Sequence, residues 1–351
     1  MSIDKTGDKL CVGVIGTGYF SRYHFAAWKR MPDVQLMAMH AIDEDQGKAL
    51  QNEFDVALLY TDLNALLANS AVQLIDVVTP PHTHKDIIEL CMRYRKAVIC
   101  QKPFCDSFSE ATALVNDIKK CNALVVVHEN FRFQPWYQKI KQLLENQRLG
   151  QLFEINFDFR PGDGQGASAY LQRQPYFQQQ RRFFIQETGI HFIDVFRFLM
   201  GDITGLFAHL QRLNPVIKGE DAGIVVMEFE SGARGVLNGN RLIDHAAEDC
   251  RLTMGEMRID GSEASLYLKG SGKIYLRNKG SSDLIEYQYD WPNTDFGGDC
   301  VYNTNRHVVD HLMWGEPIQN LAADYLQNRL IEEMIYSSHE KRCWISMLDR
   351  C

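Results

Sequence analysis

The sequence predicts an α/β fold in two parts: a doubly wound parallel sheet towards the amino terminus, then an α+β part with a mainly antiparallel sheet. Three observations predict it. Up to about residue 128, short apolar runs alternate with helical periods, the grammar of a parallel sheet covered by helices on both faces. From about residue 205 to about 290, strand-like runs follow one another, most of them bounded by Gly, Ser, Asn or Asp. The 351 residues, 45% hydrophobic and 23% charged, exceed one ordinary domain and carry core material for two.

The elements follow in order. "LCVGVIG" reads as a strand, "RYHFAAWKRM" as a helix ended by Pro32, and "VQLMAMHAI" as a second strand. "DQGKALQNEF" and "DLNALLAN" read as helices and "LIDVVTPP" as a third strand. Then come the amphipathic "HKDIIELCMRYRK", the strand in "AVICQKP", the helix "SEATALVNDIKKC" and the strand in "ALVVVHEN". "PWYQKIKQLLENQRLG" opens on Pro135 and stops at Gly150, as a helix does. "QLFEINFDFR" alternates with the two-residue period of a strand; a Gly- and Gln-rich loop and a helix around "GIHFIDVFRFLMG" follow. The strand series is "GLFAHLQRL", "AGIVVMEFE", "ARGVLNGN", "EMRIDG", "ASLYLKG", "KIYLRN" and "LIEYQYDW", and "LAADYLQNRLIEEMIYSSHE" closes it as a long amphipathic helix. Without a repeat or a low-complexity linker, the change of grammar sets the expected domains at 1–128 and 129–351.

Charge and cysteine usage exclude several classes of function. Lys and Arg number 37 against 45 Asp and Glu, a formal net charge of −8 with no basic stripe, which argues against nucleic acid or an anionic membrane as partner. "MSIDKTGDKL" carries acids and no apolar core, so neither a signal nor a transit peptide is expected, and no apolar run has the length of a membrane span. The nine cysteines form no C-x-x-C pair, which suggests reduced thiols in a cytoplasm and no metal site.

Three stretches could carry chemistry. In "VGVIGTGYFSRYH", Gly16 and Gly18 stand where a strand-to-helix turn could bring backbone amides against a diphosphate, although Ser21 replaces the third glycine of the usual pattern. A plain tight turn is the alternative. The ribose acid expected about twenty residues on falls on Ala41, with Asp43 able to serve if the strand runs longer; no Arg stands there for a 2′-phosphate, so NAD is slightly favoured over NADP. In "AVICQKPFCDS", Lys102 follows a buried strand and could stabilise an alkoxide, or be a surface lysine in a loop. In "IQETGIHFIDVFRF", Glu187, His191 and Asp194 fall on one helical stripe about 60° wide, which suits His191 as a general base. The bland alternative is a structural histidine with Asp194 paired to Arg197.

"VGVIGTGYFSRYH", "VVTPPHTH", "QKPF", "ENFRFQPWY" and "ETGIHFIDVFRFLMG" occur in the order and at the spacings of the glucose–fructose oxidoreductase, inositol dehydrogenase and MocA family, and the chain resembles that family over nearly its whole length. "DAGIVVMEFESGARGVLNGN" and "SHEKRCWISM" are similar to its carboxy-terminal half. The resemblance implies an amino-terminal Rossmann domain, a carboxy-terminal α+β domain with an open sheet that often mediates dimers or tetramers, and NAD- or NADP-dependent oxidation or reduction of sugar and cyclitol carbons. It implies Lys102 and His191 as catalytic residues, with Glu187 where Asp is more common. Cofactor contacts are implied at Gly16, Gly18, Tyr19, Phe20 and Asp43, and on the nicotinamide side at Thr79, Pro80, Pro81, His84, Gln101 and Lys102. Gln101 and Pro81 depart from a usual Glu and a frequent Asn, and Ala41 departs from the ribose acid of NAD-preferring members. His84 and Arg132 match positions read as mainly structural.

The loop "DFRPGDGQGASAYLQRQPYFQQQRRFF" offers Arg160, Asp163, Tyr170, Arg173 and Tyr176 to a polyhydroxylated substrate, of which Arg160, Asp163 and Tyr176 join Lys102, Glu187 and His191 as expected substrate contacts. The stretch resembles a subgroup containing apiose dehydrogenases, which points to a pentose. The expected protein is a cytoplasmic dehydrogenase, a homodimer or homotetramer. The rival is a non-catalytic regulator that binds dinucleotide or sugar. A metal-dependent lyase lacks a ligand cluster.

Overall fold

The computed structural model describes residues 9–347. Among these residues the chain divides into two compact units, one running up to Asn130 and including Asp299–Gln327, the other formed by Phe131–Gly298 and the residues from Asn328 on. The expectation drew one cut, at 128/129; the contacts of the chain also return Asp299–Gln327 to the first unit.

The first unit alternates β1 (Leu10–Ile15), α1 (Ser21–Lys29), β2 (Val34–His40), α2 (Glu44–Phe54), β3 (Leu58–Tyr60), α3 (Leu63–Ala68), β4 (Leu74–Val77), α4 (His84–Arg93), β5 (Ala97–Gln101), α5 (Phe108–Cys121) and β6 (Val125–His128). Its six strands run parallel in the order β3-β2-β1-β4-β5-β6. The strands are apolar runs rather than alternating ones because both faces are covered. Val12, Val14, Leu74 and Ile99 are fully buried with Phe25 and Trp28 of α1. Each such side chain contributes about 1.5–3 kcal/mol by leaving water. Two expectations needed correction: β2 stops at His40, not at Ile42, and the short β3 was not foreseen.

The second unit opens with α6 (Pro135–Glu145) and β7 (Leu152–Phe159). A long loop leads into a π-helical turn at Phe184–Gly189, and only then into α7 (Ile190–Met200). The helix expected through Glu187 is therefore π-helical up to Gly189 and α-helical only from Ile190. There follow β8 (Ile203–Gln211), β9 (Ala222–Phe229), β10 (Arg234–Asn240), β11 (Gly255–Gly261), β12 (Ala264–Leu268), β13 (Ile274–Asn278) and β14 (Ile285–Tyr287). Helix α8 (Cys300–Trp314), unforeseen, belongs to the first unit, where Val308 and Val309 join the core of Phe25 and Trp28. Helix α9 (Ala322–Lys341) and a two-residue β15 (Ile345–Ser346) end the described chain.

The second sheet has the order β14-β13-β12-β11-β7-β10-β9-β8-β15; all neighbours are antiparallel except β7 and β10. Helix α7 packs on its inner face: Phe192 stacks on Phe157 at 4.1 Å, and Phe184 of the π turn on Phe159 at 5.2 Å. Gly239 of β10 makes the space for that turn, since a Cβ there would lie 1.9 Å from the Phe184 ring.

Candidate active site

In the first unit the turn after β1 is shaped by two glycines with different duties. Gly16 has φ 116°, and a Cβ on it would lie 2.3 Å from the Val78 carbonyl oxygen, so the fold itself demands glycine. A Cβ on Gly18 would meet no protein atom within 4 Å, which leaves the approach to the backbone open. Ser21, in place of the third glycine, is buried and its hydroxyl donates to the Gly18 carbonyl at 2.7 Å, so it braces the turn. Helix α1 starts without a side-chain cap. An open glycine at a strand-to-helix turn and the end of a parallel strand fit a dinucleotide diphosphate. Tyr19 is exposed at this turn, and Phe20 lies edge-on to His24 at 5.7 Å. Asp43 caps α2, its carboxylate accepting from the Gln46 amide at 3.0 Å, and Glu44 and Asp45 complete an acidic first turn.

At the ends of β4 and β5 two loops are tied by one imidazole. His84 is buried with Nε2 2.8 Å from the Thr79 carbonyl and Nδ1 3.0 Å from that of Pro103, and burial holds its pKa below the ordinary histidine value. The Thr79 and Thr83 hydroxyls pair at 2.7 Å, Pro80 is exposed and Pro81 opens a short 3-10 turn. Half-buried Lys102 stands at the end of β5, its N–H donating to its neighbour Gln101 Oε1 at 2.9 Å. Gln101 Nε2 reaches His24 Nε2 at 2.9 Å; His24 Nδ1 and Trp28 Nε1 converge on Asp76 Oδ2 at 2.8 and 2.6 Å. His128 completes the group, 3.5 Å from Gln101 Nε2 and 3.1 Å from Asn305 Oδ1. The sequence reading missed His24, Asp76 and His128, which lie on apolar elements with no distinguishing spacing.

In the second unit His191 is 5% exposed and its ring lies flat on Phe131, centroids 3.9 Å apart and 6° from parallel. Asp194, fully buried, accepts from Arg132 through both oxygens at 2.6 and 2.7 Å and from Asn328 at 2.6 Å. The alternative partner considered for it, Arg197, instead holds Asp202 and Asn328. Glu187 is half-buried on the π turn, so its spacing to His191 is not that of a regular α-helix. Glu187 thus precedes the regular helix that carries His191 and Asp194.

The loop residues take unequal places. Arg160 donates to the carbonyls of Phe159 and Asn238 at 2.8 and 2.5 Å. Asp163 accepts from Tyr170 at 2.9 Å, from Arg173 at 3.4 Å and from Arg241 at 3.2 and 3.3 Å. Tyr176 is 52% exposed, and its hydroxyl accepts from Gln174 at 3.1 Å. Arg241, buried beside them, was missed: nothing local marks an arginine just after a strand as the partner of a residue 78 positions away. Among the described residues no group of His, Cys, Asp and Glu could hold a metal ion, and no helix is long and apolar enough to cross a membrane.

Residues 10–129 match the oxidoreductase family with an NAD-binding Rossmann fold, and residues 137–267 match the GFO/IDH/MocA C-terminal domain. The chain is 30% identical to D-apiose dehydrogenase of Paraburkholderia graminis, over 93% of this chain and 86% of that one. It is 26% identical to myo-inositol 2-dehydrogenase of Thermotoga maritima over 66% and 68%. An oxidoreductase from Agrobacterium radiobacter, solved with NAD+, L-tartaric acid and magnesium, superposes with a TM-score of 0.87 at 26% identity, covering 98% of this chain and all of that one. Levoglucosan dehydrogenase with NADH and levoglucosan shares the fold, with a TM-score of 0.84 at 18% identity over 97% and 99%.

Proposed function

Since the chain belongs to the GFO/IDH/MocA oxidoreductases, with their NAD-binding Rossmann fold, we propose that it is a dehydrogenase that uses NAD to oxidise a carbinol carbon of a small sugar, a pentose such as D-apiose. The observation that carries the reading is His191. Its imidazole is buried and held flat by Phe131, on a helix whose one carboxylate, Asp194, is engaged by Arg132 and Asn328. A ring so fixed is held in one orientation, as a general base towards a substrate hydroxyl must be.

In this reading His191 takes the hydroxyl proton, Lys102 stabilises the alkoxide and Glu187 orients the imidazole. The bound dinucleotide supplies the hydride acceptor. Gly16, Gly18, Tyr19 and Phe20 hold its diphosphate end, and Thr79, Pro80, Pro81, His84 and Gln101 shape the nicotinamide side. Asp43, Glu44 and Asp45 at the start of α2 repel a 2′-phosphate, and the nearby Lys48 is paired to Glu44 at 2.8 Å, which supports NAD over NADP. Arg160 and Tyr176 are the loop's substrate contacts. We extend the reading to self-association through the outer face of the second sheet, where Val226, Val236 and Tyr267 are only half-buried.

The test is titration of the purified protein with NAD and NADP, followed by a panel of pentoses, hexoses and cyclitols that includes D-apiose, read by reduced-nicotinamide absorbance. Turnover of a pentose with NAD is expected. Tighter binding of NADP would reverse the cofactor choice. A sugar that binds tightly without turnover would transfer the protein to the regulator reading.

A further inference from the structure

Arg241 follows β10 and is 3% exposed, yet it carries a full charge into the second unit's interior. Its guanidinium faces the rings of Phe183, Phe159, Tyr170 and Phe177 at 4.4, 5.3, 5.6 and 5.8 Å. One terminal nitrogen donates to both oxygens of Asp163, and the other donates to the Thr188 hydroxyl. Its backbone is equally engaged: the carbonyl accepts from the Gly164 amide at 2.9 Å and the amide donates to the Asp221 carbonyl at 3.0 Å. A buried cation is held at such cost only where charge, hydrogen bonds and aromatic faces all answer it.

What hangs on this cation is the substrate loop and the π turn. Asp163 in turn holds the hydroxyl of Tyr170, which keeps a left-handed backbone (φ 68°) within the same aromatic group. Phe177 packs on Tyr170 and Phe183 at 5.2 and 5.0 Å, and Tyr176 lies edge-on to Phe177 at 4.9 Å. On the other side, Thr188 is the immediate neighbour of Glu187. Glu187, to which the proposed function gives the orientation of His191, and Tyr176, which it sets against the substrate, thus each adjoin a residue that this guanidinium contacts.

We propose that Arg241 is the positioning residue of the substrate site, holding Glu187 through Thr188 and Tyr176 through the aromatic cluster, with Asp163 as its counter-ion rather than a substrate contact. The proposal rests on the dehydrogenase reading. The planar fork offers one terminal nitrogen to Asp163 and the other to Thr188 in a fixed geometry, which a single ammonium on a flexible stem does not reproduce.

The experiment compares the parent with T188V, which keeps the shape and removes the acceptor, with T188S, which restores it, and with R241K, which keeps the charge and loses the fork. Each is assayed for kcat, for KM of NAD and of the best sugar, and for amide hydrogen exchange over residues 183–189. T188V and R241K should lose about tenfold or more in kcat with KM for NAD unchanged, and exchange over the turn should rise. T188S should recover both. Parent-like kcat in folded T188V overturns the proposal, whatever its exchange, because the tie is then structural only. If R241K does not fold, the T188V and T188S pair decides. A parent that turns over no sugar overturns the dehydrogenase reading and this proposal with it, an outcome distinct from a working parent matched by T188V.

Discussion

Gln101 Nε2 and His24 Nε2 lie 2.9 Å apart in the buried interior of the first unit, and the direction of that hydrogen bond is fixed by its neighbours. Gln101 Oε1 already accepts from the Lys102 amide, so the amide nitrogen faces His24 as donor. His24 must then accept at Nε2 and carry its proton on Nδ1, from which it donates to Asp76. A glutamate at this position would accept from His24 instead, and Nε2 would have to carry a proton. The amide thus fixes which ring nitrogen carries the proton under the strand end that presents Lys102.

These hydrogen bonds fix the tautomer of His24. Nitrogen NMR of the parent should show Nε2 bare and the proton on Nδ1, and Q101E should show a proton on Nε2. A bare Nε2 retained in Q101E would break the argument.

The open space at Gly18 makes a second prediction. Gly18→Val adds a side chain whose Cβ meets no protein atom, at a position without positive φ, so the fold should keep its melting temperature. The same side chain would stand where the backbone must approach a diphosphate, so NAD binding by calorimetry should vanish. Unchanged affinity in the folded variant would remove the turn from the cofactor site.

Much of this was legible in the sequence. The strands of the first sheet are buried on both faces and therefore read as unbroken apolar runs, and α2 and α5 read as helices in "DQGKALQNEF" and "SEATALVNDIKKC". The rest is hidden for physical reasons. Leu58–Tyr60 is too short to show a period, and a π turn leaves no mark, since Glu187, His191 and Asp194 read the same in an unbroken α-helix. Local spacing suggested Arg197 for Asp194, whereas its partners Arg132 and Asn328 lie 62 and 134 residues away. Long-range ion pairs of this kind follow from tertiary packing alone.

Burial also predicts a pH dependence of stability. Glu332 is buried beside Arg329, with Glu333 and Arg182 nearby, and burial pushes its pKa up to about 7 against an ordinary value of 4.5. A raised carboxyl binds more protons in the folded than in the unfolded chain across that window. Its contribution is therefore complete below pH 4.5 and is lost as the pH rises through about 7. His84, whose pKa is lowered, has the opposite sign, so the comparison must be with E332Q rather than within one protein. Urea denaturation should show the stability of E332Q relative to the parent rising between pH 4.5 and about 7 and level beyond it. Parallel pH curves for the two proteins would show that Glu332 does not titrate there.

The proposed chemistry is tested most directly at His191 and Lys102. His191→Asn removes the proton acceptor but leaves a planar amide against Phe131, so cofactor affinity should hold while kcat falls by roughly two to four powers of ten, the usual share of a general base. Lys102→Met should lower kcat similarly and also raise KM for the sugar, because an ammonium contacts the bound alcohol as well as the alkoxide. Glu187→Gln should be milder, since an amide still accepts a hydrogen bond but stabilises an imidazolium less. All three belong at saturating NAD with the best sugar of the panel, over a range of pH. The parent's kcat should climb with pH as a base loses its proton, and His191→Asn should flatten that limb. If His191→Asn turns over like the parent with the same pH profile, the base lies elsewhere and the mechanism fails.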